Sequence, residues 1–507
     1  MPNIDDIDRV VAEGPYDDSW ESLAQHPVPE WFRDAKFGIF VHWGLFTVPE
    51  YRNEWFPRNM HIQGKPEYEY FHEQYAGKTN PAGDVIRGYQ DLIPLFTADR
   101  FDADEWMATF RRAGARYVMP VAEHHDGYQM YASELSHWNA AETGPHRDIL
   151  GELEAAAGRD GLTFCASNHR AEHWWFLGHG QQFDSDVRSE SANRSSMYWP
   201  SISPEPNEFD IASEPSPTEE FLTDWLLRNA EIVEKYHPSL LYFDWWIQHR
   251  AFKPYLRKLL AFYYNKAAGW GREVSVCYKY DACAWGSGLV DVERGGFPAA
   301  TPFPWQTDTA IARNSWCYTD SLEYKTVPEL LIALIDAVAK NGNLLLNVGP
   351  RADGSIASDD LAVLDGIGRW LAANGDGIYG SRPWRMTGEG PTAMPGGAFS
   401  DQTPFGGATW TAGDWRFTSR DGDLFAYCMG PAMADGGELT ITTFAAFDGE
   451  HEPAFNAPII AVEQLGAAAD GRSASVEWTR DPDGLHVRPL PTGLPDDYPV
   501  GFRIRLQ

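Results

Sequence analysis

Eight short apolar segments recur along the first 350 residues of this chain, and many of them end in polar or charged residues. Each has the length of a buried β-strand, and several are rich in Val, Leu, Phe or Tyr. The segments occupy residues 37–44, 117–127, 162–169, 240–246, 274–279, 289–295, 303–308 and 343–350. Helical patterns separate many of them, at residues 102–115, 147–161, 218–236, 326–343 and 358–375.

This alternation of strands and helices predicts an α/β fold, namely a (β/α)₈-type barrel. The alternative is a doubly wound open sheet, in which ligands gather at one switch point. We favour the barrel because polar, reactive residue types stand at the ends of many different strands. The helices between the fifth and seventh strands are poorly formed, so we expect a somewhat irregular barrel.

The composition of the sequence changes after about residue 384, where Gly and Pro become frequent between short strand-like segments. That spacing is typical of an antiparallel β-sandwich. We therefore predict a catalytic barrel domain at residues 1–383 and a β-sandwich domain at residues 384–507. A long polar insertion at residues 177–217 follows the third strand, and loops at that end often cover active sites.

Composition and charge exclude several classes of protein. The chain is 43% hydrophobic and 22% charged, so it is not disordered. Its net charge of −32 argues against nucleic acid or an anionic membrane surface as a partner.

The N-terminus shows no signal-peptide pattern and the number of cysteines, five, is odd. We expect a cytoplasmic protein with reduced thiols; the sequence does not specify its oligomeric state.

The strand ends carry the candidate functional residues. Asp244 ends the very apolar segment LLYFDWW, where a carboxylate must be paired, hydrogen-bonded or functional. Glu293 ends the sixth strand, where it is either a functional carboxylate or part of a structural ion pair. Lys279 ends the fifth strand, where it either binds a substrate oxygen, keeps Asp244 ionised or forms a structural ion pair. His42 and the run 123–126, which includes two adjacent histidines, end the first two strands.

Two carboxylates at a barrel mouth, surrounded by histidines and aromatic residues, fit glycoside hydrolysis. No metal-ligand spacing, dinucleotide-binding motif, P-loop or serine-hydrolase elbow occurs in the sequence, so we expect neither a metal nor a cofactor. Two other classes stay open. A carbohydrate-binding protein on the same barrel would need neither carboxylate, and a metal-dependent sugar isomerase would need several carboxylates around a divalent ion.

The motifs WFRDAKFGIFVHWG (31–44), FDADEWMATFRRAGARYVMPVAEHHDG (101–127) and KNGNLLLNVGPRADG (340–354) resemble glycoside hydrolase family 29, the retaining α-L-fucosidases. The resemblance covers about two thirds of the chain. It implies that Asp244 is the nucleophile and Glu293 the acid/base. It further implies that the sugar hydroxyls are bound by His42, Glu54, Trp55, His124 and His125, and that Phe40 and Trp316 form an apolar wall for the C5 substituent.

Two departures from the family pattern concern the substrate. A Tyr-containing strand end is replaced by Ala166-Ser167-Asn168-His169, so Asn168 or His169 is expected to take over that contact. An Arg common in the family is matched by Lys279. The expected substrate is a fucosylated oligosaccharide or glycoside, with an α-L-galactoside or α-L-glucoside as the alternative. A hydroxymethyl group at C5 would need a polar partner where a methyl group needs only apolar walls.

Overall fold

The structure is a computed structural model that describes residues 2–183, 185–392, 394–401, 409–432 and 437–507. Its β-strands are β1 (Phe37–Val41), β2 (Tyr117–Glu123), β3 (Thr163–Phe164), β4 (Ala166–Asn168), β5 (Leu240–Phe243), β6 (Ser275–Tyr278), β7 (Leu289–Val290), β8 (Trp305–Ala310), β9 (Gly342–Val348), β10 (Arg382–Glu389), β11 (Trp415–Arg420), β12 (Asp423–Cys428), β13 (Leu439–Ile441), β14 (Ile459–Gln464), β15 (Ala474–Ser475), β16 (Glu477–Asp481), β17 (Gly484–Arg488) and β18 (Val500–Leu506).

The α-helices are α1 (Ile4–Glu13), α2 (Trp20–Leu23), α3 (Glu30–Ala35), α4 (Phe56–Asn59), α5 (Pro66–Gln74), α6 (Ala103–Arg112), α7 (Ile149–Asp160), α8 (His173–Phe176), α9 (Asp186–Glu190), α10 (Glu219–Tyr236), α11 (Lys253–Trp270), α12 (Val327–Ala339) and α13 (Ser358–Asn374). Their ends follow from local sequence. Thr326 and Glu329 form a reciprocal capping box at the start of α12. Gly161 ends α7 in the left-handed conformation, with φ of 72°.

Strands β1 to β9 form a parallel sheet in the order β7-β6-β5-β4-β2-β1-β9-β8, with β3 also paired to β2. A single bridge between Asp291 and Gln306 joins the two edges, so the sheet is a nearly closed barrel of eight strand positions. The predicted α/β barrel is confirmed. It is irregular where expected: β7 has only two residues, and residues 279–304, all of them described, contain no helix.

The barrel has separate inner and outer cores. The inner core consists of alternate strand residues such as Phe40, Met119, Tyr242 and Leu345, all fully buried. The outer core packs the other faces of the strands against the helices. Because all barrel strands run parallel, their carboxyl ends open at one mouth, and residues that follow the strands converge there.

The C-terminal region forms two antiparallel sheets, in the orders β10-β11-β12-β18-β14-β15 and β13-β17-β16. Residues of both sheets, among them Trp415, Phe417, Ile441 and Leu485, share one hydrophobic core, which is the predicted sandwich. Strand β10 begins at Arg382, close to the division placed between residues 383 and 384; that division stays a prediction.

Several elements were not predicted. The 18-residue helix α11 escaped because residues 259–265 are all buried, so its sequence lacks the polar face that marks an amphipathic helix. Helices α1 to α5, α8 and α9 and strands β10, β14, β15 and β17 were also missed. Most of these elements are short, and a short segment shows little hydrophobic periodicity.

Candidate active site

A cavity of about 610 Å³ opens at the carboxyl ends of the barrel strands. The residues that follow the strands converge on it, as the parallel topology requires. Of the predicted site residues, the cavity is lined by His42, Glu54, Trp55, His124, His125, His169, Asp244, Lys279, Glu293 and Trp316.

Asp244 directly follows β5 and has a basic group on each oxygen. Its Oδ1 accepts a hydrogen bond from Lys279 Nζ at 2.9 Å. Its Oδ2 lies 3.1 Å from His169 Nδ1 and 3.4 Å from His125 Nε2. Burial opposes the charge on Asp244, but Lys279 and the hydrogen bond from His169 hold its pKa well below the usual range. Asp244 is therefore ionised at neutral pH.

Glu293 lies shortly after β7 on the other side of Lys279. Its Oε2 accepts hydrogen bonds from Lys279 Nζ at 2.5 Å and from Trp245 Nε1 at 2.9 Å. Burial raises the pKa of Glu293 to about 7; Lys279 opposes the rise, whereas Asp308 and Asp244 add to it. Glu293 thus carries a proton for much of the time near neutral pH.

One ammonium nitrogen therefore bridges the two carboxyl groups. The bridged oxygens cannot be farther apart than the two hydrogen-bond lengths combined. That limit concerns the two nearest oxygens, and it is compatible with the roughly 5–5.5 Å between the carboxyl groups of retaining glycosidases. An ionised and a protonated carboxyl group at this separation can act as nucleophile and general acid on one substrate.

His42, His124 and His125 are neutral hydrogen-bonding groups. Burial and the neighbouring histidines hold the pKa of His42 and of His124 well below the usual range, and burial lowers that of His125 to about 3. The Nδ1 of His42 lies 2.7 Å from Asn347 Oδ1, which also accepts the His42 main-chain N–H. With Nδ1–H donating, Nε2 of His42 is left as an acceptor. In the described part of the chain, Nδ1 of the buried His124 has no hydrogen-bond partner.

Glu54, Trp55 and Trp316 form a further part of the lining. Glu54 Oε2 accepts the main-chain N–H of Trp316 at 2.9 Å, which fixes the loop that carries the Trp316 ring. The guanidinium of Arg294 lies 4.5 Å from the centre of that ring. Trp55 packs 5.4 Å from the ring of Phe176. The cavity thus combines flat aromatic faces with convergent polar groups, as sugar sites do.

Two predicted residues do not line the cavity. Phe40 is fully buried beneath His42, with ring centroids 4.5 Å apart. Asn168 is also fully buried, and its Oδ1 accepts the main-chain N–H of Arg170. Side chains alternate along a strand, and the sequence alone did not show that Asn168 points away from the mouth.

The lining contains residues that sequence reasoning did not select. They are Asn53, Glu172, Trp175, Glu205, Pro206, Asn207, Glu208, Tyr242, Arg294, Asp308, Arg313, Asn314, Ser315 and Phe399. Residues 205–208 come from the polar insertion, whose position after the third strand was the available signal. Asp308 stands within a strand, so only its register reveals that it faces inward. Phe399 gave no signal, because it lies far from the strand ends in sequence.

Two sets of side chains have the composition of a metal site. They are His42, His124 and His169, and His125, His169 and Asp244, each with donor atoms within 4.8 Å of one another. Both sets belong to the cavity just described. Clustered imidazole and carboxylate groups suit a metal ion or the hydroxyls of a sugar, so metal independence stays a prediction.

A parallel barrel whose mouth holds an ionised and a protonated carboxyl group defines a glycoside hydrolase. Comparison with known proteins agrees. The family model "Alpha-L-fucosidase" matches residues 5–376. Tissue alpha-L-fucosidase of Homo sapiens is 30% identical over 493 residues, which cover 96% of this chain and 90% of the human protein. Tissue alpha-L-fucosidase of Macaca fascicularis is 31% identical over 376 residues, 73% of each chain.

A solved structure shows the same relationship. The crystal structure of Thermotoga maritima alpha-fucosidase has a TM-score of 0.71 and 26% sequence identity, and covers 97% of this chain and 100% of its own. The chain therefore belongs to the α-L-fucosidase family, glycoside hydrolase family 29, and the family predicted from its motifs is confirmed.

No helix in the described ranges is long and apolar enough to cross a membrane. All five cysteines are buried and free. The cytoplasmic location stays a prediction.

Proposed function

We propose that this chain removes terminal α-L-fucosyl residues from oligosaccharides or glycosides by a retaining double displacement. The observation that carries the proposal is the pair of carboxyl groups bridged by Lys279, in which Asp244 is ionised and Glu293 holds a proton. The names of the relatives support fucose as the sugar.

In the first step a carboxylate oxygen of Asp244 attacks C1 of the fucosyl unit. The bond from C1 to the leaving oxygen breaks, and that oxygen takes the proton of Glu293. The product is a fucosyl ester of Asp244. Lys279 balances the negative charge that passes from Asp244 to Glu293 in this step.

In the second step Glu293, now a carboxylate, removes a proton from water, whose oxygen attacks C1. The ester bond to Asp244 breaks, α-L-fucose leaves and both carboxyl groups return to their starting state. The histidines around Asp244 offer hydrogen-bonding groups for the sugar hydroxyls, which supports their predicted role in binding.

The test is a panel of aryl α-L-fucoside, α-L-galactoside and α-L-glucoside substrates. We expect the fucoside to have the highest kcat/KM, and proton NMR to show α-L-fucose as the first anomer released. Preference for the galactoside or glucoside would replace fucose by another L-sugar. Release of the β-anomer would contradict retention, and sugar binding without turnover would favour the carbohydrate-binding alternative.

A further inference from the structure

The side of the cavity next to Glu293 carries three aromatic residues, Trp245, Tyr280 and Phe399, which we call the aromatic wall. Trp245 and Phe399 line the cavity. The Trp245 ring centroid lies 5.1 Å from that of Tyr280, edge to face, and 6.0 Å from that of Phe399. Tyr280 is 44% exposed, so these rings are not simply part of a core.

Two hydrogen bonds join the aromatic wall to Glu293. Trp245 Nε1 donates to the side-chain oxygen Oε2 of Glu293 at 2.9 Å. The main-chain N–H of Phe399 donates to the main-chain oxygen of Glu293 at 2.8 Å. A general acid must lie next to the leaving oxygen, so groups fixed around Glu293 are placed to contact the leaving group.

Phe399 comes from the C-terminal side of the predicted domain division. Its segment, residues 394–401, is held against the barrel by reciprocal main-chain hydrogen bonds between Gly296 and Gly397. A Cβ atom at Gly295 would come within 1.9 Å of Gly397 O, so this approach requires glycine at residue 295. The contact between the barrel and the C-terminal region therefore fixes the position of Phe399.

Left-handed backbone conformations cluster around this side of the cavity. Phe399 has φ of 58°, Tyr280 52°, Arg294 46° and Trp246 77°. For bulky residues this region of φ is costly, and it persists only where the surroundings impose it, commonly at ligand-binding sites. The main-chain bond from Phe399 to Glu293 is one such constraint.

Polar groups of the insertion complete the surroundings. Glu205, Asn207 and Glu208 also line the cavity, and Glu205 pairs with Arg58. Aromatic faces together with carboxylate and amide acceptors suit a ring with apolar faces and hydroxyls at its edge. The carboxylates disfavour an acidic leaving group, because like charges would be brought together.

We propose that the aromatic wall is the subsite for the leaving group, and that it binds the apolar face of a neutral pyranose ring. This inference rests on the proposed function and specifies its substrate as a fucosylated neutral oligosaccharide rather than an acidic or purely apolar fucoside. It also gives the C-terminal region a part in substrate recognition through Phe399.

The test compares a neutral fucosyl disaccharide with α-L-fucosyl fluoride, whose leaving group has no ring to bind. For Phe399→Ala we expect the ratio of kcat/KM for the disaccharide to that for the fluoride to fall about three- to tenfold. Phe399→Tyr keeps the aromatic face and should restore the ratio. Phe447→Ala, which truncates an aromatic residue of the C-terminal region that is 61% exposed, is the matched control and should leave it unchanged.

An unchanged ratio for Phe399→Ala would overturn the inference, and so would equal losses on both substrates, which indicate a structural role. Failure of the unmodified enzyme to hydrolyse α-L-fucosyl fluoride would instead contradict the proposed function. The two failures are thus separate.

Discussion

Lys279 Nζ lies 2.9 Å from Asp244 Oδ1, and the same nitrogen contacts Glu293. Four acids near it, Asp244, Asp308, Glu293 and Asp291, in turn raise the pKa of Lys279 well above its usual value against the effect of burial. One cation therefore governs the charge of both carboxyl groups. The structure gives Lys279 a role that its position in the sequence left open.

Replacing Lys279 by Met should move the pH profile of kcat/KM upward. Lys279 lowers the pKa of Asp244 and that of Glu293, so both values rise when its charge is removed. Asp244 then protonates at a higher pH and Glu293 keeps its proton to a higher pH. We expect both limbs to shift by roughly one unit or more. Lys279→Arg keeps the charge and is the control; a Met variant with an unshifted profile would contradict the bridging role.

Asp244→Gly should lose at least about a thousandfold in turnover of an aryl α-L-fucoside, because no nucleophile remains. Azide can enter the space left by the carboxylate, so added azide should restore part of the rate and give a β-fucosyl azide, detected by NMR. Asp360→Asn removes another buried carboxylate, which accepts from Tyr324 outside the cavity, and serves as the control. Undiminished turnover by Asp244→Gly would end its assignment as nucleophile.

Glu293→Gln should act most strongly on substrates whose leaving group needs a proton. We expect kcat/KM to fall roughly 10²–10⁴-fold for a fucosyl disaccharide and far less for a dinitrophenyl fucoside. In the unmodified enzyme the protonated form is active, so activity should be lost as pH rises through about 7, the raised pKa of Glu293. The variant should lack this limb, whereas the exposed Glu105→Gln should keep it. Equal losses on both substrates would argue against general acid catalysis.

Chelation distinguishes the proposed mechanism from a metal-dependent one. Sugar binding through hydrogen bonds to His42, His124 and His169 needs no ion, so we expect dialysis against EDTA to leave kcat/KM unchanged within error. Metal analysis of the dialysed protein is the companion measurement. Loss of activity that a divalent cation restores would show that one of the histidine sets holds a metal.

Asp336 of α12 connects the barrel to the sandwich through a buried ion network. Its carboxylate contacts Lys340 at 2.6 Å and Arg416 of β11 at 2.7 Å. Asp336→Ala removes the carboxylate that pairs with two buried cations, and we expect the free energy of unfolding in urea to fall by about 3–5 kcal/mol. Asp365→Ala breaks an exposed pair with Arg369 and should cost less than about 1 kcal/mol. Similar losses for both variants would contradict this assignment.

The fold was predictable because eight buried strands leave a strong local signal. Polar residues at their ends, such as Asp244, Lys279 and Glu293, could be chosen for the same reason. How these three residues are arranged relative to one another could not be predicted, because the bridge by Lys279 depends on the packing of three strands. The buried helix α11 was missed because its sequence lacks the polar face of an amphipathic helix. Asp308 was not selected, although it ends the predicted segment 303–308.

Phe399 limits how freely the two regions of such enzymes could be exchanged. It lies beyond the predicted division, yet it lines the cavity and bonds to Glu293. A chimera that joined this barrel to a relative's sandwich at residue 383 would replace part of the active-site wall together with the sandwich. Recombination at that junction would thus alter substrate preference even with every barrel residue unchanged, and a junction after residue 401 would keep the cavity intact.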